Sequence, residues 1–168
     1  MAPSSRLDLV LVPADPLRNE SDGRWLLEDL VADGTIEPGG RAGVGAAEWL
    51  SAGFSRVSLD RPVPTPDGLA FWSNRTGGFR VACPATGRSI VPAFGAATTG
   101  WRAGGPRTVP CPACGVVHRL EDLAYAPAAA FGPWAIVTSD AGGTTLTASA
   151  SARVESWIGP HAVVLRRG

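Results

Sequence analysis

Two of the chain's three cysteines and one of its two histidines fall within one short phrase, Val109-Pro110-Cys111-Pro112-Ala113-Cys114-Gly115-Val116-Val117-His118. Two thiolates separated by two residues can turn toward the same ion. A glycine directly after them tolerates the positive φ that so tight a turn often requires. The third cysteine opens a partial copy of the phrase, Cys83-Pro84-Ala85-Thr86-Gly87, in which Thr86 stands where a second cysteine would be. A threonine hydroxyl is a poor zinc ligand, so three thiolates leave one position of a tetrahedral site to be filled. His118 lies four residues beyond Cys114, near enough to fold back on the same ion. Cys83, Cys111, Cys114 and His118 are therefore the candidate ligands of a structural zinc ion.

Cys111 to Gly115 matches the pattern Cys-Pro-x-Cys-Gly at every position, and over these five residues the chain resembles a zinc-ribbon knuckle. The resemblance implies a second knuckle carrying two further cysteines, and the upstream copy departs from it at Thr86. Three other readings stay open. Metal binding can have decayed, leaving Cys111 and Cys114 as turn thiols and His118 at the surface. A Cys-x-x-Cys pair also marks thioredoxin-like dithiols, but these need a helix beginning at the first cysteine, and Gly115-Val116-Val117 is a poor helix start. A Cys₃ zinc activates water in some deaminases with the help of a glutamate in a His/Cys-x-Glu motif. Cys83 is followed by Pro84 and Ala85, and Glu121 has no such context.

The elements that must hold these residues follow from periodicity. Leu7 to Val12 is apolar nearly throughout, as in a central strand. Asp22 is placed to cap a helix with a core stripe on Leu27, Leu30 and Val31, ended by Gly34. A second short helix runs from Val44 to Ala52 and is closed by Gly53, and Phe54 to Leu59 alternates as an edge strand. Pro62, Pro64 and Pro66 stiffen a linker from Arg61 to Gly68. Leu69 to Ser73 and Phe79 to Cys83 are expected to pair as a hairpin around Asn74 to Gly78. Residues 87–110 read as strand fragments and glycine-rich loop. Leu120 to Tyr125 adds a helical turn, and Ala126 to Pro133 leads out. Trp134 to Thr138 is a strand. Thr144 or Thr145 caps a helix with Leu146, Ala150, Val154 and Trp157 on one face. Gly159-Pro160 stops it, and Ala162 to Leu165 is the last strand.

The order predicts an α+β fold, a ferredoxin-like β-α-β/β-α-β sheet in a single domain of residues 1–168, with a zinc-ribbon-like module inserted at residues 69–126. Residues 9–12 are apolar in both phases, so the second face of the sheet needs a cover, either the inserted module or a partner subunit.

Composition narrows the function. The 168 residues carry no net charge, and every basic residue is arginine. Balanced charge gives no broad field for nucleic acid or anionic lipid, and the absence of lysine excludes Schiff-base and P-loop chemistry. No apolar run is long enough to span a membrane, the N-terminus lacks a signal-peptide layout, and three cysteines suit a reducing compartment; the expected location is cytoplasmic. Gly43-Val44-Gly45 is a glycine-rich helix entry rather than a dinucleotide fingerprint, since no strand precedes it. His161 reads as a helix-end residue, and Trp25, Trp49, Trp134 and Trp157 as core. Trp72 and Trp101 are the tryptophans to examine for exposure. Arg75, Arg80, Arg88, Arg102, Arg107 and Arg119 gather in the middle region and read as a solvated face.

These readings converge on a non-enzymatic zinc-binding protein that acts as a protein-interaction or adaptor module. Its partner would be another protein, or a second copy through the open sheet face. A nucleic-acid-binding zinc ribbon is the first alternative, and a zinc-dependent hydrolase or deaminase the second.

Overall fold

The computed structural model describes residues 6–63, 65–74 and 78–168. Pro64, Arg75 and the turn of the expected hairpin at residues 75–77 lie outside the described residues, as does the N-terminal stretch of residues 1–5. The fold is mixed α plus β, with four helices and several small antiparallel sheets among the described residues.

The largest sheet is built on β1 (Leu7–Pro13). It pairs on one side with β10 (His161–Arg167) and on the other with β9 (Ala135–Ser139), which carries β2 (Arg56–Asp60) at its far edge. The order is β10-β1-β9-β2, with every neighbouring pair antiparallel. Helices α1 (Glu20–Ala32) and α4 (Ala148–Ile158) cover one face. Leu9, Leu11 and Ile136 from the sheet meet Leu26 and Leu30 from α1 and Ala150, Val154 and Ile158 from α4, all buried. Each large aliphatic side chain so enclosed contributes on the order of 1.5–3 kcal/mol.

Several local expectations shift in detail. Asn19, not Asp22, caps α1: its side chain accepts the Ser21 N–H at 3.0 Å, while Asp22 sits in the first turn and pairs with Arg18 at 2.6 Å. The core stripe is Leu26 and Leu30, with Leu27 and Val31 only partly buried. Trp25 falls outside that stripe and is 50% exposed. The second helix is the single turn α2 (Ala46–Trp49). Thr147, rather than Thr144 or Thr145, caps α4 by accepting the Ala150 N–H, and Ile158 takes the core position alongside partly buried Trp157.

The second sheet face is covered from within the chain. Val10, Val12, Ala135, Val137 and Val164 pack against Ala70 and Trp72 of β3 (Ala70–Trp72). This strand pairs with β8 (Ala130–Gly132), and the Trp72 Nε1–H donates to the Gly132 carbonyl at 3.2 Å. A Cβ built on Gly132 would lie 2.3 Å from Val12 Cγ1, so only glycine allows β8 to approach β1 this closely.

The expected hairpin between Leu69–Ser73 and Phe79–Cys83 does not form. Instead β4 (Arg80–Ala82) pairs with β7 (Ala124–Ala126), and β5 (Thr108–Pro110) with β6 (Val117–Arg119), so that the three pairs are nested along the chain. The first segment alternates between two cores. Ala70 and Trp72 face the large sheet, whereas Leu69 joins Val81 and Cys83 in a second core with Ile90, Phe94, Trp101, Val109, Cys111, Leu120 and Leu123, and Phe71 packs against it. Pairing β3 with β8 and β4 with β7 lets both segments reach that second core from separate strand pairs while β3 also seats on the large sheet.

Residues expected to be strand fragments and loop contain a helix, α3 (Val91–Arg102). Its glycines and threonines are weak helix formers, and Pro92 stands in the first turn, where a missing N–H costs nothing. Burial of Phe94, Thr98 and Trp101, at helical spacing, outweighs that low propensity. Thr98 Oγ1 donates to the Phe94 carbonyl at 3.0 Å and so is not left unpartnered inside.

Candidate metal centre

Cys111 to Gly115 sit at the turn of the β5–β6 hairpin. The Cys111 N–H donates to the Val116 carbonyl at 2.9 Å and the Gly115 N–H to the Cys111 carbonyl at 2.8 Å, with Gly115 at φ 76°. The partial copy folds in the same way. The Cys83 N–H donates to the Arg88 carbonyl at 2.9 Å, the Gly87 N–H to the Cys83 carbonyl at 2.8 Å, and Gly87 has φ 68°. Positive φ at the fifth residue costs little for glycine and lets each loop close with its amides turned inward. The upstream turn, with Thr86 in the position of the second cysteine, therefore keeps the same backbone geometry.

The nested pairs bring the two loops face to face. The thiol sulfurs of Cys83, Cys111 and Cys114 and a ring nitrogen of His118 all lie within 4.8 Å of one another. His118 stands on β6, in register with Val109 of β5. Its Nε2 is 3.2 Å from Cys114 Sγ and 3.9 Å from Cys83 Sγ. A tetrahedral ion with Zn–S near 2.3 Å and Zn–N near 2.0 Å sets its ligands roughly 3.5–3.8 Å apart, so the four groups fit a metal ion with small adjustments. Cys83 and Cys111 are buried, Cys114 and His118 partly so, which leaves a route of entry on one side.

Thr86 takes a part that the spacing alone did not suggest. Its hydroxyl hydrogen-bonds to the Cys83 sulfur, and this is the largest of the influences that bring the Cys83 pKa down to about 6 from an ordinary 9.0. Burial opposes the shift, while the Thr86 and Ala85 N–H groups and the Cys111 thiol reinforce it. At Cys114 the Val116 N–H pulls the pKa down, but burial and the neighbouring Cys83 and Cys111 thiols outweigh it and raise the value. Crowded thiols cannot all ionise without a compensating charge, and a bound cation supplies that charge.

The rival chemistries find little here. All three cysteines are free, and Cys111 begins a turn leading into β6 rather than a helix, so a helix dipole does not activate it as a dithiol nucleophile. No carboxylate joins the group among the described residues. The Glu121 carboxylate accepts from Arg107 at 3.0 Å and also pairs with Arg119. Arg107 bonds in addition to Asp67, whose Oδ2 accepts the Trp101 Nε1–H at 2.7 Å. Asp67, Trp101, Arg107 and Glu121 thus form a strut that ties the segment before β3 to α3 and to the hairpin carrying the cysteines. Of the arginines read as one face, Arg107 is partly buried in this strut, whereas Arg80, Arg88, Arg102 and Arg119 are exposed.

Trp72 and Trp101 are both buried. His161 opens β10 with Nδ1 3.0 Å from the Gly159 carbonyl, outside the cysteine group. Gly43 approaches Gly34 so closely that a Cβ there would lie 2.3 Å from the Gly34 carbonyl oxygen, a packing reason for the glycine-rich entry to α2. No helix among the described residues is long and apolar enough to cross a membrane. Searches against protein families, curated proteins and solved structures find no match to this chain.

Proposed function

We propose that this protein is a non-enzymatic adaptor whose middle region, residues 69–126, is a zinc-ribbon-like module held in shape by one structural zinc ion. Cys83, Cys111, Cys114 and His118 would supply the four ligands, and the working surface would bind another protein. The observation that carries this reading is the convergence of three thiols and one imidazole with no carboxylate among them. Three sulfurs and one nitrogen complete a closed tetrahedral shell, the set typical of structural zinc. A catalytic site would keep a position open and a general base within reach. The sheet order β10-β1-β9-β2, with antiparallel neighbours throughout, supports a ferredoxin-like frame into which the module is inserted. Three free thiols at the centre favour a reducing compartment such as the cytoplasm.

Metal analysis of the purified chain tests the proposal, combined with X-ray absorption at the zinc edge. One zinc per chain in a shell of three sulfurs and one nitrogen is expected, lost in Cys114→Ser. An oxygen in the shell in place of the imidazole, or zinc retained at full affinity in His118→Ala, would overturn the closed site and favour a hydrolytic one.

A further inference from the structure

The two edges of the large sheet are finished differently. At the β2 edge the chain covers itself: Arg41 bridges to Arg56, and the Val57 N–H donates to the Gly40 carbonyl at 2.8 Å. At the other edge, β10 runs for seven residues in unbroken register with β1, and no strand or bridge lies on its outer side among the described residues. The alternation of its backbone groups is set at both ends. The Ala14 N–H donates to the Pro160 carbonyl at 2.9 Å, and the Gly168 N–H to the Arg6 carbonyl at 3.0 Å. Even-numbered residues therefore bond inward to β1, and His161, Val163 and Leu165 present their N–H and C=O groups outward. Arg167 also turns its N–H outward, where Asn74 Oδ1 accepts it at 2.9 Å, so the ladder is capped at that end.

Natural edge strands are commonly blunted by proline, a bulge, lysine or an inward-facing charge, and β10 carries none of these between His161 and Leu165. It is also complementary to itself. An antiparallel copy related by a two-fold axis through Val163 places Val163 against Val163, Ala162 against Val164 and His161 against Leu165. Arg166 then falls opposite Pro160 and Arg167 opposite Gly159, so no like charges meet. Val163 is 42% exposed in the single chain, an apolar side chain left open at the centre of that register.

We infer that two copies of this chain associate through antiparallel pairing of their β10 strands, joining the two four-stranded sheets into one continuous sheet across a two-fold axis. The surface is separate from the cysteine group, so this association and the zinc reading stand or fall independently.

Sedimentation equilibrium of the full chain saturated with zinc tests it, with hydrogen exchange followed at single amides. The wild type is expected to form dimers in a concentration-dependent way, and the outward amides of Val163 and Leu165 to gain protection as the dimer fills. Val163→Pro removes an N–H that bonds to nothing among the described residues, and Val163→Arg sets two like charges across the axis. Each is expected to weaken association at least tenfold while leaving the unfolding transition of the monomer in place. Should Val163→Pro fail to fold, Val163→Arg decides alone. A wild type that stays monomeric at high micromolar concentration would overturn the inference, as would dimers unaffected by Val163→Arg.

Discussion

At the scale of single residues, Thr86 is the most informative. It occupies the position of a missing ligand, yet its hydroxyl serves the ligand beside it by donating to Cys83. Groups of this kind orient a ligand and stabilise its ionised form, and their removal typically weakens metal affinity about 10–100-fold. Thr86→Val is therefore expected to bind one zinc per chain with affinity reduced by about that factor, as read by competition with a chromophoric chelator. In the metal-free chain the lowest-titrating thiol, followed by ultraviolet thiolate absorbance, should appear near pH 6 and move upward in Thr86→Val. Because folding depresses the Cys83 pKa, its ionisation stabilises the metal-free fold most fully above pH 9.0. That contribution is lost as the pH falls through about 6. Zinc affinity should fall over the same interval, since protons compete with the ion for the thiolates.

At the scale of elements, different variants can separate two contacts: one that seats the nested pairs on the large sheet and one that braces the middle region internally. One is the seat of β8 on β1 at Gly132. Gly132→Ala would drive a methyl group into Val12 and is expected to destabilise the protein by about 1–3 kcal/mol in urea unfolding, the usual cost of overpacking. The other is the strut. Arg107→Ala removes hydrogen bonds to two carboxylates at a side chain only 18% exposed, with an expected cost of about 1.5–3 kcal/mol. Burial alone would raise the Asp67 pKa, but hydrogen bonds from Trp101, Thr65 and the Leu69 N–H, with the Arg107 charge, hold it below the ordinary 3.8. Asp67 therefore adds stability above about pH 4, lost as the pH drops below its lowered value, and the Arg107→Ala penalty should shrink in acid.

Across the whole molecule there are three buried cores among the described residues, the smallest where β3 packs on the other sheet face. The first lies between the sheet and α1 and α4, and needs nothing from the cysteines. The second includes Cys83 and Cys111 among its buried side chains. Apparent binding energies of structural zinc reach about 10–16 kcal/mol in small domains, enough to decide whether a core of this size holds together. Chelation is accordingly expected to abolish amide protection in β4, β5, β6 and β7 while β1, β9 and α4 stay protected, as measured by hydrogen exchange. Simultaneous loss in both regions would instead mean that the β3–β8 seat couples the cores into one cooperative unit.

What was legible in the sequence was carried by local chemistry. Residues 9–12 are apolar in both phases because β1 is buried on both faces there, and no partner needs to be known to read that. The Cys-x-x-Cys-Gly turn and its partial copy are likewise local, since φ at Gly87 and Gly115 and two short hydrogen bonds define each loop. Capping was nearly so: α1 and α4 were found, but the choice of Asn19 over Asp22 and of Thr147 over its neighbours depended on which hydroxyl or amide met a free N–H. The tertiary structure alone decided the pairing of β3 with β8 and β4 with β7, because the partners lie roughly 40 to 60 residues away and β3 turns one face to each of two cores. It alone revealed α3, where the burial of Phe94, Thr98 and Trp101 overrides weak helix formers. It also left Trp25 half exposed, since the α1 stripe that meets the sheet runs through Leu26 and Leu30. Short-range patterns specify turns and faces, whereas the partner of a strand and the depth of a side chain are set by contacts between residues far apart in the chain.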